Sequence, residues 1–230
     1  DYTGALPELS GDKPLLVFSS HSHEDHFDAK VFTLLEKYPD TRFFVSRDTR
    51  LTERKRQWLN ISDEAFARTT VLRPDSILLT DVAGEDLSIR AVKSTDIGNA
   101  YLLRCEGKMV YHGGDLNWWD WKSEGEAYCN NMAAHYRTAI EKLASAVENE
   151  ATDNAIAPEI TAAMAPLDPR LGEESEGLGI EELMRQIKVQ HVFPMHMWKK
   201  YEVIDRYIAA HPAQKDAIAR ITREGESFVI

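Results

Sequence analysis

Short apolar runs alternate with amphipathic stretches along this chain. A short apolar run predicts a buried strand, whereas apolar residues recurring every three or four positions predict an amphipathic helix. The predicted strands cover residues 15–18, 42–46, 71–72, 77–79, 87–92, 101–105, 109–111, 160–164, 191–193, 217–221 and 227–230. The predicted helices cover residues 29–38, 123–150, 178–187 and 198–210, with a charged helix or loop at 49–60. This alternation predicts an α/β fold: one domain over residues 1–230, with mixed sheets layered as an αββα sandwich.

Two turn sequences add local pairing signals. The strands at 71–72 and 77–79 flank Pro74-Asp75, which predicts a hairpin-like pair. A second turn, at 106–108, is predicted to join two later strands.

The composition is typical of a globular chain and argues against a nucleic-acid binder. With 230 residues, of which 43% are hydrophobic, the chain can bury a sizeable core. Its formal net charge of −11 argues against non-specific nucleic-acid binding, which needs a basic surface. No apolar run approaches the roughly 18 residues of a membrane span, so a membrane is not an expected partner.

Cysteine usage and the N-terminus bear on the cellular setting. Cys105 and Cys129 are the two cysteines, and neither belongs to a Cys-x-x-Cys pair. This pattern favours a cytoplasmic location. No signal-peptide pattern is present, and because the chain begins at Asp1 without a methionine, we expect a preceding segment.

The densest chemistry lies at the end of the first predicted strand. His21, His23, Asp25 and His26 fall within six residues, directly after an apolar run. On an extended segment, residues two apart point the same way, so His21 and His23 can reach one metal ion. Asp25 and His26 follow where the chain turns and can reach a second ion. Because imidazole suits zinc and a carboxylate adds a harder ligand, the order His-x-His-x-Asp-His predicts two adjacent divalent metal ions.

Two later strand ends offer further ligands. The strand at 109–111 leads to Gly113-Gly114-Asp115, where the glycines allow close backbone approach and Asp115 could bridge two ions. The strand at 191–193 leads to His196. Taken singly, a turn aspartate and a chance histidine explain these two residues equally well or better.

In this order, the residues resemble the ligand pattern of the metallo-β-lactamase superfamily of hydrolases. The family's first motif is similar to HSHEDH at 21–26, its Gly-Asp to Gly114-Asp115, and its final His to His196 in FPMHMW. The resemblance spans nearly the whole chain. It implies an αββα sandwich whose metal ions are held by loops at one edge of the two sheets.

The sequence departs from the family at its third motif, a histidine on a loop before the Gly-Asp. His112 is the only histidine between His26 and Asp115, and it lies on the Gly-Asp strand itself. The expected position falls within 92–98, where we place Asp96; no protein ligand there, and a single-ion site, is the alternative. With an aspartate at that position, zinc is expected first, and manganese or iron competes with it. The implied metal set is His21, His23, Asp25, His26, Asp96, Asp115 and His196.

Two finer features of the family also have counterparts here. The segments STDIGNAYLL, HGGDLNWW, PLDPR and FPMH resemble a small cytoplasmic branch, the ascorbate-phosphate lactonase group, in general pattern. The family begins with two or three strands before an aspartate that supports the metal site, and Asp1 resembles that aspartate. The resemblance therefore implies that the first N-terminal strands are missing from this sequence.

Three residues are candidates for binding the substrate. Trp118 is expected to form an aromatic wall, with anchoring of the loop in the core as the alternative. Arg170 could bind a phosphate or carboxylate in a bidentate manner. The alternative for that segment is that Asp168 holds the Nδ1–H of a metal-bound histidine. Lys199 adds a possible anion contact.

These residues together predict a metal-dependent hydrolase. A metal-bound hydroxide would attack a small anionic ester, lactone or phosphoester, with Asp25 or Asp115 as the catalytic proton carrier. The alternative is a degenerate metal-binding or regulatory protein without activity, and a nuclease is disfavoured by the acidic composition. The expected partner is a small-molecule substrate, and a homo-oligomer stays open.

Overall fold

The chain forms two β-sheets in a computed structural model that describes residues 8–9 and 11–230. The smaller sheet contains three parallel strands in the order β1-β2-β3, namely β1 (Leu15–Ser19), β2 (Thr41–Ser46) and β3 (Thr69–Leu72). The apolar run that predicted the first strand forms β1. The expectation for Asp1 concerns a residue that lies outside the described part of the chain.

The larger sheet contains six strands that follow one another in sequence order. They are β4 (Ile77–Val82), β5 (Glu85–Lys93), β6 (Asn99–Cys105), β7 (Lys108–His112), β8 (Glu159–Pro166) and β9 (Lys188–Met195). Strands β4 to β7 pair antiparallel, whereas β7, β8 and β9 pair parallel. A long crossover helix therefore separates β7 from β8, as a parallel connection requires.

Six α-helices surround the sheets in the described residues. They are α1 (Leu34–Lys37), α2 (Glu53–Trp58), α3 (Asp63–Ala67), α4 (Glu126–Asn154), α5 (Leu178–Gln186) and α6 (Glu202–Ala210). Short 3-10 helices at Ala29–Thr33, Arg47–Thr49, Lys122–Glu124, Pro169–Leu171 and Pro212–Gln214 complete the helical segments.

Three apolar clusters define the layers. Between the sheets, Phe44 and Leu72 from the smaller sheet pack with Ile89 and Tyr101 from the larger one. On the outer face of the larger sheet, residues of α4, α5 and α6 form the largest cluster. On the outer face of the smaller sheet, the segments that contain α1 and α3 form the third. The αββα arrangement predicted from the sequence is therefore confirmed.

Helix α4 shows how the sequence pattern produces this packing. Tyr136, Ile140, Leu143 and Val147 recur at three- and four-residue spacing and are all almost fully buried. At the last turn, Glu150 accepts hydrogen bonds from side chains of β5 and β6: from Ser88 Oγ at 2.7 Å, Arg90 Nε at 2.5 Å and Arg104 Nε at 3.0 Å. This buried carboxylate fastens the crossover helix to the antiparallel part of the sheet.

The predicted hairpin at residues 71–79 is wrong. Strand β3 pairs parallel with β2, whereas β4 pairs antiparallel with β5 in the other sheet. The turn at Pro74-Asp75, where Asp75 has a φ of 60°, therefore carries the chain from one sheet to the other. The turn sequence was identified correctly, but turn chemistry alone does not specify which strands pair.

Several boundaries also differ from the prediction. The helix expected at 29–38 divides into a 3-10 segment and α1, and α3 was not predicted. Helix α6 begins at Glu202 rather than at residue 198, because Trp198 and Lys199 have positive φ angles. The strands expected at 217–221 and 227–230 do not form, and a single bridge joins Ile218 to Val192.

Candidate metal centre

The predicted ligands come together at one edge of the two sheets. The loop after β1 carries His21 to His26, and the segments after β7 and β9 carry Asp115 and His196. The turn between β5 and β6 carries Asp96. Because β1, β7 and β9 all end at this edge, their following loops can converge on one site, as they do in other α/β folds.

One group contains the two histidines that are two residues apart. The ligand atoms of His21, His23, Asp96 and Asp115 all lie within 4.8 Å of one another. Nε2 of His21 is 3.0 Å from Nδ1 of His23 and 3.5 Å from Oδ2 of Asp115. The structure therefore places Asp96 beside the two histidines.

A second group contains Asp25, His26 and His196, whose ligand atoms also lie within 4.8 Å of one another. Nε2 of His26 is 3.5 Å from Oδ2 of Asp25. Asp115 borders this group as well, because its Oδ1 lies 3.2 Å from Nε2 of His26 and 3.0 Å from Nε2 of His196. One carboxylate thus faces both groups, with a different oxygen towards each.

The donor set fits divalent metal ions. Two imidazole nitrogens 3.0 Å apart, on His21 and His23, can share one proton, whereas a cation can accept both lone pairs. Burial lowers the pKa of His21, which favours the neutral imidazole that a metal ligand requires. Mixed imidazole and carboxylate donors suit zinc, manganese or iron. These residues could therefore hold two ions, one in each group.

Asp115 is buried and nevertheless ionised. Burial alone would raise the pKa of Asp115, but the hydrogen bond with His196 and the nearby imidazoles lower it. Its backbone is fixed too, since Nε1 of Trp119 donates to the Asp115 carbonyl oxygen at 2.9 Å. The carboxylate between the two groups is held in the charged form that metal binding needs.

Two glycines allow the loops to approach the site closely. Gly98 has a φ of 75°, and a Cβ there would collide with the carbonyl oxygen of Ser20 and the Cβ of His21. Gly114 has a φ of 52°, and its Cβ would lie 2.6 Å from the Cβ of Ser20. Both positions combine a backbone conformation that favours glycine with a lack of space for a side chain.

Ser20 and His112 form hydrogen bonds to two candidate ligands and to the turn that carries Asp115. Ser20 Oγ lies 3.0 Å from Nδ1 of His21 and 3.2 Å from Nδ1 of His26, so one hydroxyl contacts both rings. Nδ1 of His112 accepts a hydrogen bond from the Gly114 amide at 3.0 Å, and burial lowers the pKa of His112 to about 4. His112 therefore orients the Gly-Asp turn and belongs to neither ligand group.

His196 is held from its far side by Asp168. Oδ2 of Asp168, a fully buried residue, lies 3.2 Å from Nδ1 of His196, and Arg170 donates to both oxygens of the same carboxylate. Burial opposes a charge on His196, but its bonds to Asp115 and Asp168 outweigh burial and raise its pKa to about 9. The geometry matches the reading in which Asp168 orients His196, and it also leaves 43% of the Arg170 side chain exposed beside the neighbouring cavity.

The loop that carries His196 has an unusual backbone. His196, Trp198 and Lys199 have φ angles of 64°, 53° and 62°, a region that residues other than glycine rarely adopt. Such strain is typical of functional sites, where the surrounding contacts keep it in place. Here it aims the ring of His196 at Asp115 and leaves Trp198 half exposed beside it.

A cavity of about 310 Å³ opens onto both groups. It is lined by His23, Asp25, Thr95, Asp96, Asp115, Trp119, Trp121, Tyr128, Met132, Arg170, His196 and Trp198. Its aromatic wall thus comes from three places: the segment after β7, the start of α4 and the segment after β9. The guanidinium of Arg170 lies 4.3 Å from the ring centre of Trp198 and 5.6 Å from that of Trp121.

Trp118 does not line this cavity, contrary to the expectation from the sequence. Its ring packs against Tyr136 of α4, and Arg137 lies 4.5 Å above it. Trp119 and Trp121, on the other side of the same segment, line the cavity instead. The sequence showed that an aromatic wall could follow Asp115, but not which indole faces the core.

Lys199 and Arg170 occupy different surroundings. Lys199 forms an ion pair with Glu224 at 3.3 Å and lines a neighbouring cavity of about 470 Å³ that also borders Asp25 and His196. Arg170 lines the aromatic cavity directly, with 43% of its side chain exposed. Arg170 is therefore the predicted anion-binding residue that faces the aromatic cavity.

Sequence reasoning missed several supporting residues. Ser20 immediately precedes the histidine cluster, and Trp198 lies two residues beyond the final histidine. The Thr95 hydroxyl, which bonds the carbonyl oxygen of Asn117 at 2.7 Å, joins the Asp96 turn to the Asp115 loop. Nearness to a ligand in sequence was the one available signal for each of them.

Comparisons with known proteins found solved structures of low similarity. No protein-family model matches the chain, and no curated protein does. A solved structure described as a Zn-dependent hydrolase of the metallo-beta-lactamase superfamily, from Thermotoga maritima, is 14% identical, with a TM-score of 0.37 over 85% of this chain and 68% of that one. A metallo-beta-lactamase fold protein from Bacillus subtilis is 9% identical, with a TM-score of 0.42 over 85% of this chain and 71% of that one.

No helix among the described residues is both long enough and apolar enough to cross a bilayer.

Proposed function

We propose that this protein is a metal-dependent hydrolase with a binuclear centre. The observation that carries the proposal is the position of Asp115. Its Oδ2 lies 3.5 Å from His21 and its Oδ1 lies 3.2 Å from His26, so that one carboxylate borders both ligand groups. Two metal ions in such a centre supply hydrolytic chemistry by lowering the pKa of water and by polarising the bond to be cleaved.

Residues of the two groups would hold the ions and transfer the proton. His21, His23, Asp96 and Asp115 would hold one ion, and Asp25, His26, Asp115 and His196 the other. Asp25 is exposed and lines the aromatic cavity, so its carboxylate could accept a proton on the cavity side of the centre. Asp115 is the second candidate for this proton transfer.

The metal is proposed to be zinc, with manganese or iron as competitors. The histidines support zinc, whereas Asp96 supports the competitors, because a carboxylate in the position of an imidazole makes the first group harder and more anionic. With Asp115 shared, four residues would bind each ion, so a reactive water molecule would be a fifth ligand.

The substrate is proposed to be a small anionic ester, lactone or phosphoester. The cavity of about 310 Å³ limits the substrate to a small molecule, and Arg170 presents a half-exposed guanidinium beside the metal centre. The resemblance of PLDPR and FPMH to the ascorbate-phosphate lactonase group supports a lactone among these classes.

Metal analysis combined with an activity screen tests the proposal. The purified protein should contain up to two divalent ions and should hydrolyse at least one of a panel of lactones, esters, thioesters, phosphomonoesters and phosphodiesters. Asp25→Ala and His196→Ala should lose metal and activity. Glu24→Ala is the matched control, since Glu24 is exposed, lies beside Asp25 and belongs to neither ligand group.

The outcomes separate the alternatives. Full metal content and activity in Asp25→Ala or His196→Ala would refute the ligand assignment. Bound metal without turnover on the whole panel would instead indicate a metal-binding protein that has no hydrolytic activity.

We further propose that the chain forms a single domain. We also propose that the protein occupies a reducing compartment such as the cytoplasm. The apolar cluster shared by the two sheets supports one folding unit. Cys105 and Cys129 are both free thiols, which fits a compartment that keeps thiols reduced.

A further inference from the structure

A second cavity lies at the same edge of the molecule, on the other flank of the histidine loop. It has a volume of about 880 Å³ and is lined by Ser46, Arg47, Asp48, Arg50 and Lys55, together with Ser22 of the histidine loop. Ser46 ends β2, the central strand of the parallel sheet. The carboxyl end of a parallel sheet is a common place for ligand binding.

The cavity is basic in a strongly acidic chain. Arg47 and Arg50 form no ion pair with any described residue, and the ammonium of Lys55 donates to the carbonyl oxygen of Thr49 at 2.5 Å. Asp48 is the single carboxylate on the cavity wall. Three cations therefore gather around one acid, although the chain as a whole has a net charge of −11.

Two buried polar atoms at this site have no partner among the described residues. The Ser46 side chain is 1% exposed, and its Oγ makes no hydrogen bond. Oδ1 of Asp48 is buried without a partner as well, while its Oδ2 accepts a hydrogen bond from the Ser22 amide at 2.8 Å. Because unpaired buried polar atoms are costly, their position beside three cations indicates a ligand that supplies the missing bonds.

We propose that this cavity binds a phosphate or carboxylate anion. Arg47, Arg50 and Lys55 would neutralise the anion, and the hydroxyl of Ser46 would donate to one of its oxygens. Asp48 Oδ1 would accept a hydrogen bond from a hydroxyl or a protonated oxygen of the same ligand. The anion is either a remote group of the hydrolysed substrate or a separate small molecule.

The site has a direct connection to the metal centre. Asp48 holds the amide of Ser22, which lies between His21 and His23. The cavity also borders Gly98, whose neighbouring turn carries Asp96. Binding of an anion at this site would therefore affect the first ligand group through the histidine loop. The binding itself does not depend on hydrolysis.

Titration of the ¹⁵N-labelled, metal-loaded protein with inorganic phosphate tests this inference. Amide signals of residues 46–50, 22 and 97–98 should shift in a saturable manner. Replacing both arginines, as Arg47→Gln with Arg50→Gln, should weaken phosphate binding by about tenfold or more, and Ser46→Ala should weaken it to a smaller extent. Arg54→Gln is the matched control, because Arg54 is exposed on α2 and lies outside the cavity.

The results distinguish this site from the metal centre and the two sources of the anion from each other. Saturable shifts confined to residues 115–121 and 196–198, or an equal loss of binding in Arg54→Gln, would overturn the inference, as would the absence of saturation. If phosphate competes with a substrate found in the screen, the anion is a group of that substrate. If phosphate binds without competing, it is a separate ligand. Should no substrate be found, the phosphate titration still decides the inference.

Discussion

Asp168 lies directly behind His196, with its Oδ2 3.2 Å from Nδ1 of the imidazole ring. A carboxylate can only accept in this pair, so Nδ1 donates to Asp168. Nε2 lies 3.0 Å from Asp115, the second carboxylate that keeps His196 protonated, and Nε2 is the nitrogen on which a metal ion would replace a proton. Arg170 fixes the other side of Asp168 through Nε, at 2.9 Å from Oδ1. A chain of three residues thus sets the tautomer and the orientation of the last ligand candidate.

Replacing Asp168 with asparagine should lower metal affinity without removing a ligand. Loss of the charged partner of a ligand histidine typically costs about 10–100-fold in affinity, and a competition titration with a chromogenic chelator would measure it. Asp120→Asn is a suitable control, since Asp120 is equally well buried but bonds Ser175 and Lys122 instead. Equal metal affinity in the wild type and Asp168→Asn would contradict this role.

Asp96→Ala should reduce the metal content from two ions towards one. Asp96 belongs to the group with His21 and His23, so its loss leaves that group with two imidazoles and the shared Asp115. Metal analysis after dialysis would show the change. Asp86→Ala, an exposed aspartate on β5, should keep the wild-type stoichiometry. Two tightly bound ions in Asp96→Ala would show that this aspartate is not a ligand.

Alanine at Gly98 should displace the histidine loop. The new Cβ would meet the Ser20 carbonyl and His21, in addition to the strain of a positive φ. Gly84→Ala provides the matched control: it has a φ of 86° and no atom within 4 Å of the added Cβ. We expect about 1 kcal/mol of destabilisation for Gly84→Ala and a distinctly larger loss, accompanied by loss of metal, for Gly98→Ala. Urea unfolding and metal analysis would compare them, and equal effects would argue against a steric requirement at Gly98.

Trp198→Ala should weaken substrate binding more than it affects the fold. Trp198 is 51% exposed, lines the aromatic cavity and stacks against Arg170. For a substrate found in the screen, KM should rise by roughly threefold to tenfold, as expected for the loss of one aromatic contact. Trp58→Ala, with a 77% exposed indole on α2, should leave KM unchanged. A KM unaffected by Trp198→Ala would place substrate elsewhere.

Glu150 should make stability depend on pH in the acid range. Burial alone would raise its pKa, but the hydrogen bonds from Ser88 and two arginines outweigh burial and lower it. The stabilisation is therefore complete above the ordinary glutamate pKa of about 4.3 and is lost as the pH falls through the lower pKa of the folded state. At pH 7, Glu150→Gln should lower the free energy of unfolding by about 1–3 kcal/mol.

Urea unfolding at neutral and at acid pH would measure the difference in the free energy of unfolding between the wild type and Glu150→Gln. It should shrink as the pH falls, because the wild-type carboxylate becomes protonated too. Glu148→Gln, at an exposed position on the same helix, should match the wild type throughout. A difference that stays constant over the acid range would show that the charge of Glu150 does not matter.

Local pattern determined the elements of this protein and the identity of its metal-binding candidates. Apolar runs and helical spacing predicted most strands and helices, since each element buries one face and its sequence must repeat accordingly. The dense order of His21, His23, Asp25 and His26 needed no tertiary information, because all four residues lie on one short loop. Asp115 and His196 could be added because each follows a predicted strand.

Tertiary structure alone decided what depends on distant contacts. Val71 and Leu72 join the smaller sheet although a turn connects them to β4, because pairing follows the burial available on each sheet and not the turn. Trp118 faces α4 while Trp119 faces the cavity, since neighbouring residues in a loop point in directions that only packing fixes. The position of Asp96 beside His23, and of Asp168 behind His196, arises where separate loops meet at the sheet edge. No local periodicity encodes such a meeting, because it depends on how every layer beneath the loops is packed.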